Sequence, residues 1–133
     1  MNQKIKTLKI IHLALVAGVT LAYFLLGDFK NILNLEIDNA SLPYSFIPAV
    51  AYVLSNFLFN KTLKNIQKDS SDDEKFSIYQ SASIIKWAVL EGACFLILLL
   101  KPEFLLFGVI LLFYMILLAP KEDKIFQLLN IKS

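Results

Sequence analysis

The sequence predicts an all-α protein, a bundle of four transmembrane helices with the N and C termini on the cytoplasmic side. Three observations predict it. Apolar residues make up 57% of the chain and its mean hydropathy is +0.63, against ~45–50% apolar content in ordinary soluble domains. The excess gathers into four blocks, 10–27, 42–59, 78–100 and 104–119, divided by segments that hold nearly all the charge. The lysines then fall into alternate segments, which orients the spans. At 133 residues the chain has room for a single membrane domain, 1–133, with 120–133 as a cytoplasmic tail.

The first block carries no charge beyond a possible proton on His12. Lys4, Lys6 and Lys9 precede it, but its apolar stretch exceeds the ~7–15 residues of a signal-peptide core. Gly27, Asp28 and Phe29 follow with no small-x-small cleavage site, so an uncleaved span is expected. The second block contains Pro43 and Pro48; the third carries Lys86 and Glu91; the fourth is the most uniformly apolar. Soluble helices keep a polar face, and the fourth block offers only Tyr114. A helix needs ~20 residues to span the hydrocarbon, so blocks one, two and four must borrow interfacial neighbours.

Lys4, Lys6, Lys9, Lys61, Lys64, Lys68, Lys75, Lys121, Lys124 and Lys132 lie in segments that four spans place on one side; Lys30 and Lys101 lie on the other. The lysine-rich side is therefore expected to be cytoplasmic. The outer segment 28–41 alternates Leu33, Leu35 and Ile37 with Asn34, Glu36 and Asp38, a period that fits a short strand or a surface segment. Lys101-Pro102-Glu103 forms a tight outer hairpin, so the third and fourth helices should be antiparallel neighbours. Ser71-Asp72-Asp73-Glu74 fits a capping box and starts the third helix near Asp72. Beyond Pro120, Ile125, Phe126, Leu128 and Leu129 share a broad face, which predicts a short interfacial helix.

Glu91 lies about nine residues inside Leu100, or ~13 Å along a helix, close to the middle of a ~30 Å core. An ionised carboxylate there is costly and faces the bundle interior, a partner or water. Lys86 is its natural partner, but five residues set it ~140° round the helix, so snorkelling to the cytoplasmic interface is favoured. Ser45, Pro48, Tyr52 and Ser55 share one face of the second helix, with Asn56 beside it. A buried polar cluster of Tyr52, Asn56, Lys86, Glu91 and Tyr114 is expected on depth. Trp87, one turn before Glu91, is expected to pack or anchor.

Ala14, Gly18 and Ala22 form a small-residue stripe on the first helix, as do Ala88 and Gly92 on the third. Such stripes let helix backbones approach closely in lipid. His12 reads as an interfacial histidine. With one His and with Cys94 the sole cysteine, neither a metal site nor an intrachain disulfide is expected. No Gly-rich phosphate loop and no nucleophile with a base at usable spacing occur, so no catalytic residue and no cofactor is expected. A net charge of +2 with no arginine argues against a nucleic-acid partner.

The segment Glu74-Lys75-Phe76, Tyr79, Ala82, Ile84-Ile85 and Lys86-Trp87-Ala88-x-x-Glu91-Gly92 resembles a family of small, uncharacterised four-helix bacterial membrane proteins. Their shared mark is a basic-Trp-Ala-x-x-Glu-Gly run in the third helix. The resemblance implies that Lys86, Trp87, Glu91 and Gly92 belong together, in a bacterial inner membrane, and brings no established activity. Small multidrug-resistance transporters are similar in helix number, but their carboxylate is on the first helix. Rotor-ring subunits of ATP synthases are similar in their mid-membrane carboxylate, but their dense glycine packing is absent here. The expected role is a non-enzymatic structural or accessory subunit, with the lipid bilayer and a homo-oligomer or membrane-protein partner around it. The alternative is a small proton- or cation-coupled transporter or channel using Glu91.

Overall fold

The computed structural model describes residues 2–27, 42–67, 69–100 and 104–129. It is all-helical. Helix α1 runs over Asn2–Leu26; a 3-10 turn over Leu42–Phe46 leads into α2, Ile47–Leu63; α3 is Asp72–Leu100, α4 is Leu105–Leu117 and α5 is Glu122–Leu129. The expected strand or surface segment at 28–41 and the hairpin at 101–103 lie outside the described residues.

Local chemistry sets these boundaries. The Gly27 N–H donates to the Tyr23 carbonyl at 2.8 Å and closes the last turn of α1. Pro43 falls in the 3-10 turn and Pro48 in the first turn of α2, where a missing N–H leaves no helical bond unmade. The Ser71 hydroxyl accepts from the Glu74 N–H at 3.2 Å, so α3 begins where the capping signature put it. Asp72, Asp73 and Glu74 occupy its first turn, a favourable sign of charge for a helix N-terminus. At the end of α4 the Leu118 N–H turns back to the Tyr114 and Met115 carbonyls, and Pro120 prevents the helix from continuing.

Side-chain pairings fix the directions. Lys4 meets Asp73, His12 meets Trp87 and Tyr23 meets Cys94, so α1 and α3 run the same way. Gly108 lies by Tyr23 and Met115 by His12, so α4 runs opposite to both. Phe59 near the end of α2 meets Tyr79 near the start of α3, so α2 is antiparallel as well. Helix α3 is the hub, packed on α2, α4 and α1. One core cluster, including Val19, Tyr23, Leu90, Cys94, Ile97, Leu105 and Met115, fills the middle. A second closes the end where the chain starts: Ile5, Leu8, Phe76 and Trp87 receive Ile125 and Leu129 of α5.

The outer surface is apolar. Leu13, Phe24, Phe57, Leu99, Phe113 and Leu117 are each more than half exposed, Leu117 at 77%. Large apolar faces of this kind are rare on soluble monomers. Three helical stretches, Gln3–Leu26, Leu42–Leu63 and Asp72–Leu100, are long and apolar enough to cross a membrane. The fourth block departs from expectation: α4 has 13 residues, ~20 Å at the helical rise, short of the ~30 Å hydrocarbon. It reaches span length only together with α5, which is bent from it by 76°. The break at Leu118–Lys121 carries Pro120, and α5 turns so that Ile125 and Leu129 bury under the bundle. The tail helix is thus real, but Leu128 stays exposed and the broad face expected of it is split.

Candidate functional site

His12, Tyr23 and Cys94 each reach a backbone carbonyl of a neighbouring helix. On α1, apolar residues at three- and four-residue steps turn one face inward, and His12 and Tyr23 ride on that face. The Tyr23 hydroxyl donates to the Cys94 carbonyl of α3 at 2.6 Å. Cys94 in turn points its thiol at the Gly108 carbonyl of α4, 3.8 Å away. Gly108 is a steric requirement: a Cβ built there would land on the Tyr23 hydroxyl. Three helices are tied at one level.

A second tie lies about three turns away. His12, 6% exposed, places Nε2 at 2.7 Å from the Met115 carbonyl. A carbonyl only accepts, so Nε2 carries the proton. The imidazole also meets Trp87 edge to face, with centroids 4.8 Å apart. The Met115 carbonyl belongs to the last turn of α4, where it also accepts from the Leu118 N–H at 3.1 Å, and a carbonyl has two lone pairs to serve both. His12 is therefore a buried strut between helices.

The expected polar cluster assembles only in part. The Asn56 amide donates to the Tyr52 carbonyl at 2.9 Å and to the Tyr114 hydroxyl at 3.4 Å, and the Tyr52 and Tyr114 rings lie 5.3 Å apart. Tyr52 is nevertheless 52% exposed, so this group sits on the flank of α2 and α4. Lys86 goes elsewhere, its Nζ 4.8 Å over the Phe59 ring. Among the described residues no hydrogen bond or ion pair joins Glu91 to Tyr52, Asn56, Tyr114 or Lys86. The reason is rotational. Glu91 shares the side of α3 that carries Trp87 and Cys94, four residues before it and three after, and these contact α1. Lys86 looks toward α2.

The small-residue stripes make no tight glycine contact within the chain. A Cβ on Gly18 would meet nothing within 4 Å, and Ala14 is exposed, so that part of the stripe faces outward; Ala22 alone is half-buried against the core. Ala88 and Gly92 line an open apolar groove of about 630 Å³ between α2 and α3, with Pro43, Phe46 and Val50 across from them. A close helix contact within the chain forms instead at Gly108. That residue is the single glycine of the fourth block, and Tyr23 the single phenol of the first; this was the signal in the sequence. Among the described residues no three His, Cys, Asp or Glu side chains come together as metal donors.

Lys86 further lines a cavity of about 190 Å³ with Lys121 and Lys124, at the end of the bundle where α1 begins. That direction agrees with a snorkelling lysine. No protein-family model, curated protein or solved structure matches this chain.

Proposed function

We propose that this chain is a four-span membrane protein with cytoplasmic termini, acting as a non-enzymatic structural or accessory subunit of a membrane assembly. One observation carries the reading: the polar side chains at the centre of the bundle, His12, Tyr23 and Cys94, are engaged with backbone carbonyls of neighbouring helices. Interhelical bonds of this kind hold spans in register. They use up the groups from which a reaction centre would be built. The lysine bias supports the orientation, with 104–119 as the fourth crossing and α5, bent away by 76°, on the cytoplasmic side. The resemblance of the Lys86-to-Gly92 segment supports a bacterial cytoplasmic membrane and an oligomer or membrane-protein partner.

A second reading rests on Glu91. A half-buried carboxylate inside an apolar helix is expensive and marks an ion or proton path by default, so a small transporter or channel is the alternative. Glu91→Gln separates the two, since it keeps size and hydrogen-bonding capacity while removing the charge. The structural role predicts an assembled variant that still supports the cell. A well-assembled Glu91→Gln protein whose liposome flux or cellular activity is abolished defeats it. Orientation is checked in a Cys94→Ala background: a cysteine at Ser71 should be shielded from an impermeant thiol reagent in intact cells and one at Asn39 labelled. The reverse pattern inverts the topology.

A further inference from the structure

Three lysines from different parts of the chain line one small cavity. Lys86 comes from α3, Lys121 from the turn before α5 and Lys124 from α5 itself. Their meeting is a product of the 76° bend after α4, which swings α5 back under α3. Lys121, Lys124 and Leu128 recur at three- and four-residue steps and so share one face, while Glu122 and Asp123, on the other faces, do not line the cavity. Among the described residues none of the three lysines is ion-paired with a carboxylate. Lys86 is held in place over the Phe59 ring at 4.8 Å, a contact of cation–π type. Ser83, only 3% exposed, and Tyr79 add hydroxyls to the wall.

We propose that this cavity binds a phosphate group, as the headgroup of an anionic phospholipid or as a soluble phosphate ester. Three lysines around about 190 Å³ can each turn an ammonium toward an anion placed among them, which attracts all three. The volume has room for about six waters at ~30 Å³ each, enough for a phosphate and its ester oxygens. Lysine acts on phosphate as a point charge, so three ammoniums from different directions suit several oxygens better than the two of a carboxylate. The Tyr79 hydroxyl, whose oxygen already accepts from Ser83, supplies one further donor. The rim favours a lipid source: Leu117 at 77% exposure and Leu128 at 53% line the same cavity and offer apolar surface to acyl chains. Basic pockets at the cytoplasmic ends of spans are suited to such headgroups.

The test uses the full chain in neutral detergent, titrated with phosphatidylglycerol, phosphatidylcholine and inorganic phosphate, and read by native mass spectrometry and thermal stabilisation. The expected result is saturable binding of one phosphatidylglycerol, with phosphatidylcholine ineffective. Lys86→Gln, Lys121→Gln and Lys124→Gln should each weaken it about fivefold, while Lys64→Gln, at the same end of the molecule but outside the cavity, should change it less than twofold. Inorganic phosphate binding with the same lysine dependence, and no lipid binding, assigns the site to a soluble phosphate ester. Lys121 and Lys124 are exposed, so their variants keep the fold and remain informative if Lys86→Gln misfolds. Equal weakening by Lys64→Gln, or no saturable binding by any phosphate, overturns the proposal. The phosphate arm does not depend on membrane embedding, so its outcome is separable from the four-span reading.

Discussion

At the scale of single residues, the tie among Tyr23, Cys94 and Gly108 is the feature most open to mutation. Adding one methyl at Gly108 forces the Tyr23 ring away, because the new Cβ occupies the place of its hydroxyl. Overpacking of a tight core costs ~1–3 kcal/mol, and the displaced phenol loses its bond to Cys94 as well. Tyr23→Phe alone removes only that bond, worth ~0.6 kcal/mol on average between membrane helices. Gly108→Ala should therefore lower thermal stability clearly more than Tyr23→Phe. The double variant should recover part of the Gly108→Ala loss, because the nearest colliding atom is gone while the ring carbons still press on the new Cβ. Strict additivity of the two, measured by thermal denaturation in one detergent, would remove the Tyr23 hydroxyl as the reason for the glycine.

At the scale of elements, α1 shows that a small-residue pattern does not say which side of a helix is the contact. Its inward face is His12, Val16, Val19 and Tyr23, and the Ala14–Gly18 part of the stripe looks away from the bundle. Gly18→Leu is thus expected to leave monomer stability within ~0.5 kcal/mol, the range of substitutions that touch nothing. A large loss of monomer stability in dilute detergent would show that Gly18 packs inside the chain. Helix α3 makes the opposite case, since its Ser71 cap, its acidic first turn and its 29-residue length follow directly from local sequence. Helix α4 lies between these: its apolar character was plain, but its end at Leu117 depends on the turn before Pro120 and on α5 finding a seat beneath the bundle.

At the scale of the whole molecule, one surface pair links the start of α1 to the start of α3. Lys4 Nζ is 2.9 Å from Asp73 Oδ1, with both side chains largely exposed. The Lys4 ammonium, through hydrogen bonding first and charge second, holds the Asp73 carboxyl below its usual range. A carboxyl with a depressed folded-state pKa stabilises above its unfolded value and loses that stability as pH falls through the folded one. The pair should therefore fade below about pH 4, near the ordinary carboxyl value, and weaken in high salt. Asp73→Asn should remove a small low-pH step from the stability profile and leave the neutral-pH fold intact. An unchanged acid profile in that variant would mean the pair contributes nothing, a common fate of exposed ion pairs.

The sequence by itself determined the helical class, most helix limits and the apolar outer surface, because these depend on local composition, capping residues and prolines. It also argued against a direct Lys86–Glu91 pair, since five residues on a helix set them ~140° apart, though it still grouped both in one cluster by depth. Tertiary structure alone decided how each helix is rotated about its axis. That rotation buries His12 and Tyr23, exposes Gly18 and Tyr52, and leaves Glu91 on the α1 side of α3, apart from Asn56 and Tyr114. When nearly every side chain around a helix is apolar, no polar face marks the outside. Rotation is then settled by steric fit, such as a phenol against a glycine, between residues 85 positions apart in the chain.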